Sequence, residues 1–410
     1  MTLRVLVDQS GYDLLNLGDV AMLQACVRRL RDLRPDATIA VFCHDAGRLA
    51  KYCPDAIPVP AAPAWLPRSG RRRRLGVAAA QAWKIVAPYA IRRPKVVTGG
   101  SAPTGWREAI KWADVVVSSG GGFLNDTWWW HGSGVLSVLA AAQRLGKPTA
   151  MFGQGLGPLS HPALRRQAAH VLPRLTLLGL RGAVSGEPLV RELGVPSSVV
   201  VVTGDDGLEI IDLDSTPESG DVVGVNVRVA SYSGVDDEST AAVGAGVSGF
   251  VAEHDASALV LPVSLFAGFS DAGATERMLA GRLATPLASA GDVSDPAELA
   301  EVVARCRIVV TGSYHAAVFA LARGVPVVGL SRSDYYDAKF ADLAGLFSDA
   351  VSVVQLASAQ TTQQLKAAMD AAWAVAPDAR KRTRDRAREQ KASGRAAYAL
   401  FLNRAERLSG

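Results

Sequence analysis

Three observations predict an α/β fold of two doubly wound domains facing a cleft. The first is length: 410 residues, 49% of them hydrophobic and 20% charged, exceed what one compact core organises, and about 200 residues per domain is the natural division. The second is a repeating unit in which a short apolar run ends in a Gly-containing loop and leads into an amphipathic segment. Strands alternating with helices in this way imply a parallel sheet covered on both faces. The third is the polar, Pro- and Gly-containing stretch 212–221 (DLDSTPESGD), after which strand-like alternation resumes in VVGVNVRVA, as at a domain boundary.

The elements follow in order. Leu3 to Val7 reads as a strand, and the segment after it places Val20, Leu23, Val27, Leu30 and Leu33 on one helical face. Strands are expected again at Thr38 to Phe42, Val115 to Ser118, Leu175 to Gly179 and Ser198 to Val202, and at Thr149 to Phe152 ahead of Gly153. These make residues 1–211 a Rossmann-like N-terminal domain, with a basic insertion at about 60–113. A second Rossmann-like domain, 221–362, takes its strands from VVGVNVRVA, Ala258 to Pro262, Arg307 to Thr311 and Pro326 to Leu330, with helices at Ala297 to Cys306 and His315 to Arg323. Residues 363–410 are Ala-, Arg- and Glu-rich and helical in character; packing across the first domain and lying on the surface are both compatible with them.

Composition narrows the function classes. No charge-free apolar stretch reaches the roughly 18–20 residues that span a bilayer, and the opening MTLRVLVDQSGYD lacks the form of a secretory signal, so a cytoplasmic protein is expected. Cys26, Cys43, Cys53 and Cys306 show neither C-x-x-C nor zinc-ligand spacing with His, which predicts neither disulfide nor structural zinc. The formal charge of +5 is modest, but it is gathered in Arg68 to Arg74, in Arg92, Arg93 and Lys95, and in Arg380 to Arg388. Such patches suit anionic headgroups or phosphorylated substrates as well as plain solvation, and no nucleic-acid-binding signature accompanies them.

Ligands of parallel sheets collect beyond the carboxyl ends of the strands, and six loops there carry unusual residues. In Asn16-Leu17-Gly18-Asp19, Gly18 permits close backbone approach, while Asp19 suits either a helix cap or a partner for a hydroxyl. In Gly120-Gly121-Gly122-Phe123-Leu124-Asn125-Asp126 the glycines expose backbone N–H groups and Asp126 adds an acid, although a tight turn alone explains the pattern too. Gly153-Gln154-Gly155-Leu156-Gly157-Pro158 is a third such loop. Arg181 offers a fork for a carboxylate or phosphate, and Asp205 and Asp206 either cap their turn or pair with it. Trp128, Trp129, Trp130 and His131 suit packing, or a sugar ring at a cleft. The sixth loop, Gly312-Ser313-Tyr314-His315, turns a buried strand directly into an apolar helix. Backbone N–H groups, the Ser313 hydroxyl and the helix dipole would hold an anion there, with His315 as proton donor and Lys339 as a second cation.

Read in order, NLGDVAM, GGGFLND, GQGLGPL, LRGAVS, TGDD and GSYHAAVFALARGVPVVGLSRSDYYDAKF resemble the polysaccharide pyruvyl transferase family over most of the chain. The resemblance implies the architecture of two-domain glycosyltransferases. It also implies transfer of the pyruvyl group of phosphoenolpyruvate to sugar hydroxyls as a ketal, with no metal and no further cofactor. On it, His315 is the candidate acid; Asp19 and Asp126 are expected to face the acceptor, because an acid at a helix start repels a phosphate and suits a hydroxyl. Arg181, Arg228, Ser313, Tyr314 and Lys339 bind the donor, whereas Asn16, Gly18, Gly121, Gly122 and Gln154 bind the acceptor, a sugar or lipid-linked glycan met at the membrane surface. Two positions depart from the family pattern: Ser313 stands where the family has the Arg of Arg-x-His, and Gly182 follows Arg181 where Arg-Asp is frequent. Either Arg181 or Arg228 then supplies the carboxylate-binding cation, or the donor differs. The rival reading is a glycosyltransferase using a nucleotide-sugar, with Asp334 or Asp337 on the ribose; a binding module without catalysis is a third.

Overall fold

The computed structural model describes residues 2–61, 103–214, 220–228, 234–266, 270–283, 287–288, 290–356 and 360–409. In its first half the order is β1 (Arg4–Asp8), α1 (Leu17–Leu33), β2 (Thr38–Cys43), α2 (Ala46–Tyr52), β3 (Ile57–Pro60), α3 (Trp106–Trp112), β4 (Val115–Ser118) and β5 (Gly121–Leu124). Then come α4 (Trp129–Arg144), β6 (Thr149–Leu156), α5 (Pro162–Val171), β7 (Leu177–Leu180), α6 (Gly186–Glu192) and β8 (Val200–Val202). Their sheet is parallel in the order β3-β2-β1-β4-β6-β7-β8, with β5 added on β6. The order reverses between β1 and β4, so the crevice beyond their carboxyl ends is the place where a ligand is expected.

The second half runs β9 (Val222–Asn226), α7 (Asp237–Glu253), β10 (Ser257–Val260), α8 (Asp271–Leu279), α9 (Pro296–Ala304), β11 (Ile308–Thr311) and α10 (Tyr314–Ala322). It ends with β12 (Val327–Ser331), α11 (Asp334–Phe347), β13 (Val351–Gln355), α12 (Thr361–Trp373) and α13 (Pro377–Ser409). This sheet is also parallel, in the order β10-β9-β11-β12-β13. Continuous apolar runs such as Val115–Ser118 and Ile308–Thr311 are buried at every residue, as strands covered on both faces must be. All nine residues of α10 are buried, the behaviour of a helix that is apolar all round.

The two halves meet along a shared core. Leu17 and Ala21 of α1 and Leu208 and Ile211 after β8 join Phe319 and its neighbours on α10 in one hydrophobic cluster. Backbone bonds cross the seam beside it: Leu17 N–H donates to the Val263 carbonyl (2.9 Å) and Leu265 N–H to the Leu15 carbonyl (2.7 Å). The start of α1 is thereby held against the second domain.

Several expectations change on the structure. The stretch 103–113 belongs to the first domain, because Ala109 and Ile110 of α3 are buried in its core. Pro60 ends β3, and residues 62–102 of the expected insertion, with the basic runs 68–74 and 92–95, lie outside the described residues. The glycine loops are short strands: Gly121–Leu124 pairs with β6, and β6 itself continues through Leu156. Of the two placements left open for residues 363–410, the structure takes the first: α13 packs back across the first domain. Tyr398 stacks on Phe152 at 3.6 Å, its hydroxyl donates to Asp206 (2.9 Å), and Arg395 pairs with Glu209 at 2.6 Å. The four cysteines are buried and free. Among the described residues no helix is long and apolar enough to cross a membrane.

Candidate active site

The site is assembled at the seam from the carboxyl ends of β1, β5, β6 and β7 and from the N-terminal ends of α10 and α11. Asn16 is the N-cap of α1, its side-chain oxygen accepting from Gly18 N–H (3.0 Å) and Asp19 N–H (3.3 Å). That is a structural task in place of the expected contact with acceptor, and it relieves Asp19 of capping. Asp19 instead accepts from the Ser10 hydroxyl at 2.9 Å. Burial raises its pKa, while Ser10 and the charges of Lys339, Arg181 and Arg228 oppose the rise, so Asp19 shares a neighbourhood with all three cations.

Arg181, at the end of β7, is buried with its guanidinium over the Tyr314 ring at 3.9 Å. The glycines beside it explain themselves by what they admit. A Cβ on Gly122 would lie 2.6 Å from Arg181 Nη2 and 3.3 Å from Lys339 Cε, and one on Gly155 would lie 2.5 Å from Arg181 Nε. These glycines make room for cations rather than offering their N–H groups to a ligand. Lys339, on α11 of the other domain, lies over the Tyr335 ring at 3.9 Å, and Tyr335 donates across the seam to the Gly122 carbonyl (3.1 Å). Burial, and then the charge of Arg181, push the Lys339 pKa well below its ordinary range. Gly122, Gly155, Gly157, Arg181, Tyr335, Lys339 and Asp342 line a narrow pocket at this seam.

His315, in the first turn of α10, is buried, and its Nε2 has no hydrogen-bond partner. Burial, Arg181 and Lys339 hold its pKa well below the usual imidazole range. Gly18 is its seat: a Cβ there would lie 2.0 Å from both His315 Cγ and Nδ1. Gly18→Ala should therefore force the ring or α1 aside, costing about 1–3 kcal/mol and slowing catalysis. Urea unfolding and turnover measured on one preparation check this, and wild-type values for both would show that the seat is dispensable.

Asp205 was ambiguous between cap and ion pair, and it serves both ends. Its Oδ1 accepts from Gly207 N–H at 2.8 Å, whereas Oδ2 lies 3.8 Å from Arg181 Nη1 and 3.7 Å from His315 Nε2. Burial raises this carboxyl to about 6 against the lowering influence of Arg181.

Other expected site residues are employed elsewhere. Both oxygens of Asp126 are taken by Ser160 and His161 backbone N–H groups at 2.8–2.9 Å, with the Ser160 hydroxyl a further donor, so it caps that turn instead of standing free to meet an acceptor. Gln154 spends its amide nitrogen on the Gly121 and Gly155 carbonyls (2.7 and 2.9 Å), and Gly121 makes way for the Phe123 ring. Arg228 pairs closely with Asp271 at 2.5 Å, whereas Arg181 stands 3.8 Å from its nearest acid, Asp205. Ser313 is the N-cap residue of α10, with its N–H bonded to Thr311 Oγ1 (2.8 Å), and Tyr314 is the platform for Arg181. Trp129 stacks on His161 at 5.0 Å, His131 is wedged between Tyr12 and Phe123, and Asp337 accepts from Ser331 and Gln355 at 2.6 Å each. Among the described residues no three His, Cys, Asp or Glu side chains gather as metal ligands.

The sequence profile of the polysaccharide pyruvyl transferase family matches residues 16–334, from the α1 cap to the start of α11. The chain belongs to that family. A pyruvyl transferase is an enzyme that modifies polysaccharide, and the matched span contains Asp19, Arg181, Asp205 and His315, while Lys339 lies just beyond it. No curated protein matches the sequence. Solved structures resemble it in fold. The UDP-GlcNAc 2-epimerase of Neisseria meningitidis bound to UDP-GlcNAc is 12% identical with a TM-score of 0.55, over 98% of this chain and 100% of its own. CalG4, the calicheamicin glycosyltransferase, is 13% identical with a TM-score of 0.53, over 98% of each chain. A UDP-glucose:anthocyanidin 3-O-glucosyltransferase in complex with UDP is 11% identical with a TM-score of 0.57, over 100% of this chain and 99% of that one. This pyruvyl transferase thus has the architecture of two Rossmann-like domains facing a cleft.

Proposed function

We propose that the chain transfers the pyruvyl group of phosphoenolpyruvate to two hydroxyls of a sugar in a glycan or glycan precursor, forming a cyclic ketal. One observation carries this reading: the buried Arg181 and the partly buried Lys339, basic side chains from opposite domains, flank Gly122 within charge range of His315 and Asp19. Two basic side chains held this close call for an anion, which would also restore the charge on Lys339, and a donor with both a carboxylate and a phosphate answers both.

His315 delivers a proton to the donor's methylene carbon, the double-bond electrons forming the new C–H bond, and the positive character left at C2 is met by an acceptor hydroxyl oxygen. The C2–O bond to phosphate breaks and a second hydroxyl closes the ketal. Of the two protons lost by the hydroxyls, one balances that given to carbon and the other leaves with phosphate. Asp19, in the first turn of α1 and near the two basic groups, takes a hydroxyl proton. Burial first, and then the charges of Arg181 and Lys339, oppose protonation of His315 before the donor binds; a bound anion offsets the two basic groups and favours the charged imidazole.

The direct test incubates the enzyme with phosphoenolpyruvate labelled at C2 with ¹³C and with glycan acceptors, following inorganic phosphate and the ketal carbon by NMR. Phosphate release in step with a ketal signal is expected. Transfer of a sugar from a nucleotide-sugar with no ketal formed would overturn the reading in favour of a glycosyltransferase.

A further inference from the structure

We propose that Asp205 is a positioning residue that accepts a hydrogen bond from His315 Nε2–H and so leaves Nδ1 as the nitrogen that moves the proton. The inference rests on the acid role given to His315 above. Its basis is a pair of orphaned atoms: His315 Nε2 and Asp205 Oδ2 are both buried and both without a hydrogen-bond partner. They lie 3.7 Å apart. Each buried orphan is costly alone, and a small closure would satisfy both at once; such catalytic contacts are often long before substrate binds. The other edge of the ring, Nδ1, faces Gly18 at the start of α1, the loop that also carries Asp19.

The Asp205 backbone and its other oxygen are fixed independently of the histidine. Oδ1 accepts from Gly207 N–H at the turn that follows β8. The charged groups facing this pair are Arg181, 3.8 Å from Asp205 Oδ2, the neighbouring Asp206, Lys339 on α11 and Asp19 on α1. When the donor's charge cancels the two cations, an imidazolium forms whose Nε2–H is held by the Asp205 carboxylate; it gives the Nδ1 proton to carbon and returns to the neutral Nε2–H tautomer. A carboxylate on the far ring nitrogen is a recurrent way of setting which nitrogen works.

Asp205→Asn tests this sharply, because the cap at Gly207 needs an oxygen and so turns the amide NH₂ toward His315. That NH₂ donates to Nε2 and forces the proton onto Nδ1. In ¹⁵N-histidine spectra above pH 7.5, assigned by loss of one signal in His315→Gln, wild-type His315 should be the Nε2–H tautomer and the Asp205→Asn variant the Nδ1–H tautomer. Its kcat should fall by about 100-fold or more while donor KM changes little. A wild-type Nδ1–H tautomer, or a variant with unaltered tautomer and kcat, would overturn the proposal. The wild-type tautomer decides even if the variant fails to fold. Because this readout needs no donor, it judges Asp205 separately from the identity of the donor.

Discussion

In a His315→Gln variant the protein folds and the chemical step slows by roughly 100-fold or more. Glutamine keeps a polar group over Gly18 but has no proton to give to carbon, so the loss falls on kcat rather than on donor affinity, which the proposed function assigns to Arg181 and Lys339. Single-turnover measurement of pyruvyl transfer separates the two. An unchanged rate would return His315 to a structural role at the start of α10. A loss confined to donor binding would make it a further anion ligand.

The largest effect on stability is expected away from the pocket, at Arg29. Its side chain is buried and bonds to Asp206 (2.5 Å) and Glu209 (2.9 Å), with the guanidinium 5.2 Å from the Tyr398 ring centroid of α13. Arg29→Met leaves the Asp206 charge buried with only the Tyr398 hydroxyl to meet it, and breaking one partner out of a buried pair costs about 3–5 kcal/mol. Glu209 loses less, because Arg395 continues to pair with it. Denaturant unfolding at neutral pH should show the full loss, and a change below about 1 kcal/mol would mean that the network is not what ties α13 to the first domain. Asp206 adjoins Asp205, so the same network anchors the turn from which the His315 partner projects.

Much of this organisation is legible in the sequence, for a definite reason. Buried parallel strands read as unbroken apolar runs, so Val115–Ser118 and Ile308–Thr311 are recognisable, and the loops after them are where chemistry collects. His315, Arg181, Lys339 and Asp19 are found in this way. The strand Gly121–Leu124 is not, because two glycines read as a turn and pairing with β6 is a long-range choice. Gly18 and Gly122 are recognisable as points of close approach, but nothing near them in sequence says that an imidazole and a guanidinium approach. The pairing of Asp205 with His315 joins residues far apart in the chain, and the capping signal at TGDDG hides it. The same holds for α13: its Arg-rich sequence describes a surface helix well, and only Phe152 and Asp206, distant in sequence, reveal what Tyr398 packs against.

The proposed function puts the donor's carboxylate and phosphate between Arg181 and Lys339, and the measurement that reaches this most directly is stabilisation by ligand of the wild-type protein and of Arg181→Met and Lys339→Met. Phosphoenolpyruvate at about 100 times its Kd should stabilise the wild type by about 2.7 kcal/mol, each variant should lose most of that gain, and UDP-sugars should stabilise none of the three. Stabilisation by a UDP-sugar and not by phosphoenolpyruvate, or an undiminished phosphoenolpyruvate effect in both variants, would contradict it.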